Sequence, residues 1–152
     1  MILNFFFRIL MLIKIKKMNS DKIQFRVRYG ETDQMGFAYY GNYAQYFEMG
    51  RTEWMRKLGI TYKKMEENGI MLPVMSLNIN YLKPAKYDDL LTLITTLIKI
   101  PSVKIEFSYE IYNEEKELLT TGKTTLVFVN MKTNKPTRAP EYILKKLRDI
   151  TA

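Results

Sequence analysis

The sequence predicts an α+β domain, on three observations. One long amphipathic helix with a tryptophan-centred apolar stripe lies early in the chain. A strand-like segment precedes it and four more follow it in series. Aromatic residues make up 13% of the 152 residues, with 11 Tyr and 8 Phe, a bias toward sheet over helical bundles. A hydrophobic content of 47% at this length suits a single core, and no internal repeat or linker divides it.

Residues 1–17 stand apart from that domain. Ile2 to Ile13 are apolar except for Asn4 and Arg8, and Lys14, Lys16 and Lys17 follow them. The run is too short to span a bilayer, which takes about twenty residues. A secretory signal would carry its bases ahead of the apolar run and small residues behind it. The segment therefore reads as a dispensable extension of the kind an over-called translation start produces, with a weak membrane-surface anchor as the alternative. Residues 18–152 form the domain, expected in the cytoplasm and without stable membrane insertion.

Within the domain, residues 23–29 alternate Ile23, Phe25, Val27 and Tyr29 with Gln24, Arg26 and Arg28, the pattern of a half-buried strand. A glycine-flanked loop over 30–41 follows, with Asn42 placed to cap a helix. In that helix Tyr43, Phe47, Gly50, Trp54 and Leu58 recur at helical spacing, beside Tyr46. Gly50 on the apolar stripe costs up to about 1 kcal/mol of propensity, which implies close approach to a sheet. Gly59 ends the helix, and a second short helix over 61–68 ends at Gly69. Strands are predicted over 74–81, 90–100, 103–112 and 123–131, with a hairpin turn at 113–116. The third of these looks like a long exposed edge. Pro140 introduces a short final helix through Arg148.

The chain has no histidine and no cysteine. Ser-His-Asp and Cys-His catalysis, disulfides and cysteine-based zinc sites are therefore excluded. No acidic cluster has the spacing of a hard-cation site, so neither a metal nor another cofactor is expected. The formal charge is +8, from 24 bases and 16 acids. Four of those bases lie in residues 1–17, which leaves 20 bases against 16 acids in the domain. Such a surplus suits an anionic ligand or a solvated surface, and no motif supports a nucleic-acid partner.

Chemistry must then run on carboxylates, amides and hydroxyls. Asp33 sits in the loop between the first strand and the long helix, whose N-terminal amides carry partial positive charge. A carboxylate there can serve as nucleophile or general base, or it can simply bond its own turn. Glu48 on the helix is a secondary carboxylate candidate, and at three residues' spacing it can equally pair with Arg51. Glu31 is a weaker carboxylate candidate and reads as solvent-facing.

Residues 28–36, Arg-Tyr-Gly-Glu-Thr-Asp-Gln-Met-Gly, with Tyr39-Tyr40-Gly41-Asn42-Tyr43 and the following Phe47-Glu48 and Arg51-Thr52-Glu53, resemble the hotdog-fold acyl-CoA thioesterases of the 4-hydroxybenzoyl-CoA thioesterase-like family. The resemblance continues through Leu82-Lys83-Pro84-Ala85 and Tyr87-Asp88-Asp89 and covers roughly residues 22–145. It implies a hotdog fold, in which an antiparallel sheet of about five strands wraps a long central helix. It implies hydrolysis of acyl-CoA, with Asp33 attacking the thioester carbonyl or activating water, and an oxyanion site at the amides near Gly41 and Asn42. Tyr40 stands where some relatives carry a histidine, which excludes a histidine-assisted variant; its hydroxyl can position the substrate by donating to the thioester region, or its ring can simply pack. A homodimer or homotetramer with the site between subunits is also implied. Lys99, Lys104 and Arg138 are the candidates for binding the CoA phosphates. The alternative on the same fold is a non-catalytic module that binds acyl thioesters or acyl carrier protein.

Overall fold

The computed structural model describes residues 19–151. The expectation for residues 1–17 lies outside that range. Strand β1 (Ser20–Arg26) opens the domain, and the long helix α1 (Tyr43–Lys57) follows after two single 3-10 turns. A short helix α2 (Tyr62–Glu67) and strand β2 (Ile70–Met71) lead to four long strands. These are β3 (Val74–Tyr81), β4 (Leu90–Leu97), β5 (Lys104–Tyr112) and β6 (Leu118–Val127). Two short strands, β7 (Val129–Asn130) and β8 (Lys135–Pro136), precede helix α3 (Glu141–Thr151).

The five longer strands form one antiparallel sheet in the order β1-β4-β5-β6-β3. Helix α1 crosses its face against β4 and β1. This is the hotdog arrangement, with the α+β class as expected. Alternation puts one face of each central strand into the core. Leu91, Leu93 and Leu97 of β4 and Ile105, Phe107, Tyr109 and Ile111 of β5 are all buried. Phe47 of α1 stacks on Tyr109 with ring centroids 4.3 Å apart, and the Trp54 ring meets Phe107 edge-on at 5.2 Å. The Trp54 indole N–H donates to the Asn19 carbonyl at 2.9 Å, so the tryptophan's polar atom is satisfied beside the start of β1.

Gly50 is where helix and sheet come closest. A Cβ built there would lie 2.3 Å from Thr95 Oγ1 and 2.6 Å from Leu93 Cδ2. The propensity cost inferred from sequence is thus offset by a helix–sheet separation that no larger residue permits.

Several boundaries differ from the sequence pattern. β1 stops at Arg26 because the chain bends into a 3-10 turn at Tyr29–Glu31, which leaves Tyr29 exposed. β4 ends at Leu97, and Ile98 and Ile100 face solvent. β6 starts at Leu118, five residues earlier than predicted, because Asn113 and Glu117 close a tight hairpin through main-chain and side-chain bonds. The largest correction concerns β5, which is no edge: it pairs with β4 on one side and β6 on the other. The sheet's outer strands are β1 and β3. β3 exposes Val74, Met75, Leu77 and Tyr81.

Replacing Gly50 by Ala should destabilise the domain by about 1–3 kcal/mol, despite alanine's better helix propensity. Urea unfolding followed by tryptophan fluorescence measures it, and an unchanged or raised midpoint would mean that the close approach is absent in solution.

Candidate active site

The loop between β1 and α1 is built from backbone hydrogen bonds that the sequence does not advertise. Past β1, the Val27 N–H donates to the Asp89 carbonyl at 3.1 Å, and the Asp88 N–H to the Val27 carbonyl at 2.9 Å. Arg28 and Glu31 then lock the first turn. The Glu31 carboxylate accepts from the Arg28 amide at 2.8 Å, from its Nε at 3.0 Å and from its Nη2 at 2.5 Å. Glu31 is buried, contrary to the solvent-facing position expected for it. A carboxylate with three donors from one residue can leave water without being left unpaired. Burial pushes its carboxyl up, and the Arg28 bonds more than reverse this, leaving it below the ordinary carboxylate value.

Residues 31–39 fold as a short hairpin. Thr32 bridges Ala38, and the Asp33 N–H donates to the Phe37 carbonyl at 2.8 Å. Asp33 Oδ1 accepts from the amides of Met35 at 2.9 Å and Phe37 at 3.3 Å. Asp33 is therefore a turn-forming residue through one oxygen. Its Oδ2 takes no hydrogen bond among the described residues, and the side chain is half-buried. The turn role thus occupies one oxygen of the carboxylate and leaves the other open.

The hairpin is tied to the helix entrance at one atom. The Glu31 carbonyl accepts the Tyr39 amide at 2.8 Å and Asn42 Nδ2 at 2.7 Å. Asn42 is thus not a side-chain N-cap. Its backbone is already helical (φ −71°, ψ −21°), whereas a cap residue needs an extended backbone, and its amide donates to the hairpin instead. The 3-10 turn Tyr40–Asn42 runs directly into α1. The opposite side of the hairpin meets the β3–β4 connection, where the Ala38 N–H donates to the Ala85 carbonyl at 2.8 Å and Phe37 bridges Lys86.

Asp33 lies on a cavity of about 280 Å³ whose wall includes Phe37, Tyr40, Tyr43, Tyr81 and Lys83. Tyr40 is largely exposed and packs its ring 4.7 Å from that of Tyr39, while Tyr43 and Tyr81 meet edge-on at 5.2 Å. Gly41 lies under the Tyr39 ring, where a Cβ would come within 2.7 Å of it. Among the described residues the amide hydrogens of Tyr40 and Gly41 find no acceptor.

The remaining sequence candidates lie elsewhere. Glu48 is exposed, 3.8 Å from Arg51 Nη2, on a separate groove of about 870 Å³ between β1 and α1 that does not include Asp33. Lys99 and Lys104 flank the β4–β5 connection, and the segment carrying Arg138 is tied to it by the Ala139 N–H, which donates to the Ser102 carbonyl. Lys99 is paired with Glu106 at 2.7 Å. Strand register puts that connection at the far end of the sheet from Asp33, about 25 Å away along β5 within one protomer. Sequence reading places Glu31 in solvent as a weaker candidate and misses Tyr81 on the cavity wall. The Arg28–Glu31 spacing of three was the available signal for the first, and only the fold supplies the second.

A carboxylate loop feeding a helix entrance, with the helix enclosed by a five-stranded antiparallel sheet, defines a protein of the hotdog class. The chain belongs to the thioesterase-like superfamily, whose model matches residues 27–147. It is 36% identical over 119 residues to the putative acyl-CoA thioesterase YneP of Bacillus subtilis, covering 78% of this chain and 86% of that one. It is 27% identical over 123 residues to the acyl-CoA thioester hydrolase YbgC of Escherichia coli O157:H7, covering 81% and 92%. Among solved structures, the DHNA-CoA thioesterase of Staphylococcus aureus superposes with a TM-score of 0.79 at 38% identity, over 86% of this chain and 87% of that one. No helix among the described residues is long and apolar enough to cross a membrane.

Because the folded Glu31 carboxyl sits below its unfolded value, its pairing contributes stability above the unfolded value and loses it as pH falls through the folded one. Acidification from pH 7 to below about 4 should therefore lower the thermal midpoint more in the wild type than in Glu31→Gln. At pH 7 the variant should melt a few degrees lower, about 2–4 °C. Parallel pH–melting curves would argue against the pairing.

Proposed function

We propose that this protein hydrolyses acyl-CoA thioesters to the free acid and CoA, with the Asp33 carboxylate as the reacting group. The observation that carries this reading is the division of labour within that carboxylate. Oδ1 is held by the Met35 and Phe37 amides, which fixes its direction, and Oδ2 is left without a partner on the tyrosine-lined cavity. The likeness to YneP, YbgC and the DHNA-CoA thioesterase supports the substrate class.

Two routes use the same atom. In one, Oδ2 attacks the thioester carbonyl carbon, the tetrahedral oxyanion collapses with loss of CoA thiolate, and water opens the acyl–aspartyl anhydride. In the other, Oδ2 takes a proton from a water that attacks in its place. A thiol with an intrinsic pKa of about 8.5 leaves as thiolate, so neither route requires a general acid or a histidine. The oxyanion site falls to the Tyr40 and Gly41 amides, a donor of this kind being worth about 3–4 kcal/mol in the transition state; the Asn42 amide expected to share that role is already donated to the Tyr39 carbonyl at 2.9 Å. Glu48 takes no part, since it faces the other groove.

The functional unit is a dimer through β3. Among the described residues that strand presents an unpaired backbone edge, together with Val74, Met75, Leu77 and Tyr81. Antiparallel pairing of two such edges about a two-fold axis continues the sheet across both subunits. It also turns the β4–β5 connection of one subunit toward the Asp33 end of the other. Lys99, Lys104 and Arg138 would then meet the CoA phosphates from across the interface. The second reading, a binding module for acyl thioesters or acyl carrier protein, draws on the turn role that Asp33 already fills.

Free-thiol release from a panel of short, long and aromatic acyl-CoAs separates these readings. Asp33→Asn should lower kcat by at least about a thousandfold with folding retained, since the amide still accepts the Met35 and Phe37 bonds. Hydrolysis by the wild type that survives this change would remove Asp33 from the mechanism, and no hydrolysis at all would favour the binding module. In light scattering, Leu77→Glu should convert a dimer to a monomer, whereas an unchanged mass would place the interface elsewhere.

A further inference from the structure

The chain has 10 methionines and no cysteine, so every sulfur it carries is a thioether. Among the described methionines Met55 and Met65 are buried, while Met35, Met49, Met75 and Met131 are exposed. One of the exposed set stands apart. Met35 is 72% exposed, the most of any methionine described, and it lies in the wall of the cavity that holds Asp33. Met49 faces the groove between β1 and α1, and Met75 and Met131 belong to neither wall. Short hydrogen bonds hold the hairpin tip that carries Met35. Its amide donates to Asp33 Oδ1 at 2.9 Å, and the Gly36 amide donates to the Asp33 carbonyl at 2.9 Å. Gly36 has a φ of 78°, which a side chain would resist, so the chain reverses at Met35–Gly36. Phe37, Leu82 and Pro84 share the wall, and a thioether among them offers an acyl group another apolar surface.

We propose that Met35 is a modification site: a hydroperoxide oxidises its thioether to the sulfoxide, and this weakens binding of the acyl group beside Asp33. The inference rests on the reading of the Asp33 cavity as the acyl-thioester site. A sulfur lone pair attacks one peroxide oxygen, and the S–O bond forms as the O–O bond breaks. Sulfur thereby loses two electrons. The departing hydroxide takes the proton left on the transferred oxygen and leaves as water. The product keeps the length of the side chain but exchanges an apolar sulfur for a polar group with a strong acceptor oxygen. An apolar acyl group has no donor for that oxygen, and an ionised Asp33 carboxylate is itself only an acceptor. The sulfoxide oxygen therefore keeps its water, and the acyl group loses an apolar contact. Because methionine sulfoxide is returned to the thioether by dedicated reductases, the change is reversible.

The test treats the full chain with hydrogen peroxide and follows peptide masses beside hydrolysis of the acyl-CoA that the wild type hydrolyses best. The Met35 peptide should gain one oxygen before those of Met55 and Met65. In step with it KM should rise about tenfold while kcat changes less than about twofold, the pattern of lost ground-state binding. Methionine sulfoxide reductase should restore KM. Met35→Leu, compared with its own untreated activity, should resist peroxide, and Met35→Gln should show a raised KM without any. On an Asp33→Asn background, saturating acyl-CoA should slow the oxidation of Met35 and leave that of Met131 unchanged. A Met35→Leu protein that loses activity as fast as the wild type would overturn the proposal. So would a Met35 that stays reduced while Met75 and Met131 oxidise, or one that oxidises equally fast under bound acyl-CoA. Undiminished hydrolysis by untreated Asp33→Asn would instead sink the underlying reading.

Discussion

The Glu31 carbonyl is the atom on which the site's geometry depends. It accepts two hydrogen bonds, one from the Tyr39 amide and one from the Asn42 side chain, and so closes the hairpin that carries Asp33 and joins it to the start of α1. Both partners come from a segment that would otherwise leave main-chain groups to find water or strain. The same residue's carboxylate is bound by Arg28, so the carbonyl is held from behind. Asp33 and the amides near Gly41 are thereby fixed relative to each other by a few short-range bonds, without metal or disulfide among the described residues.

That local construction is useful only because the helix is held rigidly. Gly50 lets α1 lie against Leu93 and Thr95, and the stack of Phe47 on Tyr109 and the edge contact of Trp54 with Phe107 set its rotation. The entrance of α1 therefore occupies a defined position above the end of the sheet where β3 finishes at Tyr81. Placing reactive groups where rigid elements end, and leaving short loops to present them, is a general way to hold a reacting geometry without storing flexibility in it.

Much of this was legible in the sequence, for reasons that differ by element. The alternation in β5 and the helical spacing from Tyr43 to Leu58 reflect burial along one segment, and both elements form as read. Gly50 announced a close approach, because a glycine on an apolar helical stripe is costly without one. What local patterns cannot hold is the identity of neighbours. β5 looks like an edge until β6 is found beside it, and Asn42 looks like a cap until the Glu31 carbonyl is found within its reach. Glu31 itself reads as a surface acid because its burial depends on Arg28 folding back over it. The sequence places Lys99, Lys104 and Arg138 near strand ends and turns, but which end of the sheet they occupy is decided by topology. Asp33 stands out as a candidate because so few chemical groups remain in a chain without histidine or cysteine. Its two oxygens, one held and one free, emerge only in three dimensions.

The most direct measurement is a crystal structure of the Asp33→Asn protein with an intact acyl-CoA bound. Catalysis at Asp33 predicts the thioester carbonyl carbon within about 3–3.5 Å of the side chain at position 33, or one water away from it, with the carbonyl oxygen about 3 Å from the Gly41 amide. A thioester seated instead in the groove between β1 and α1, beside Glu48, would contradict it.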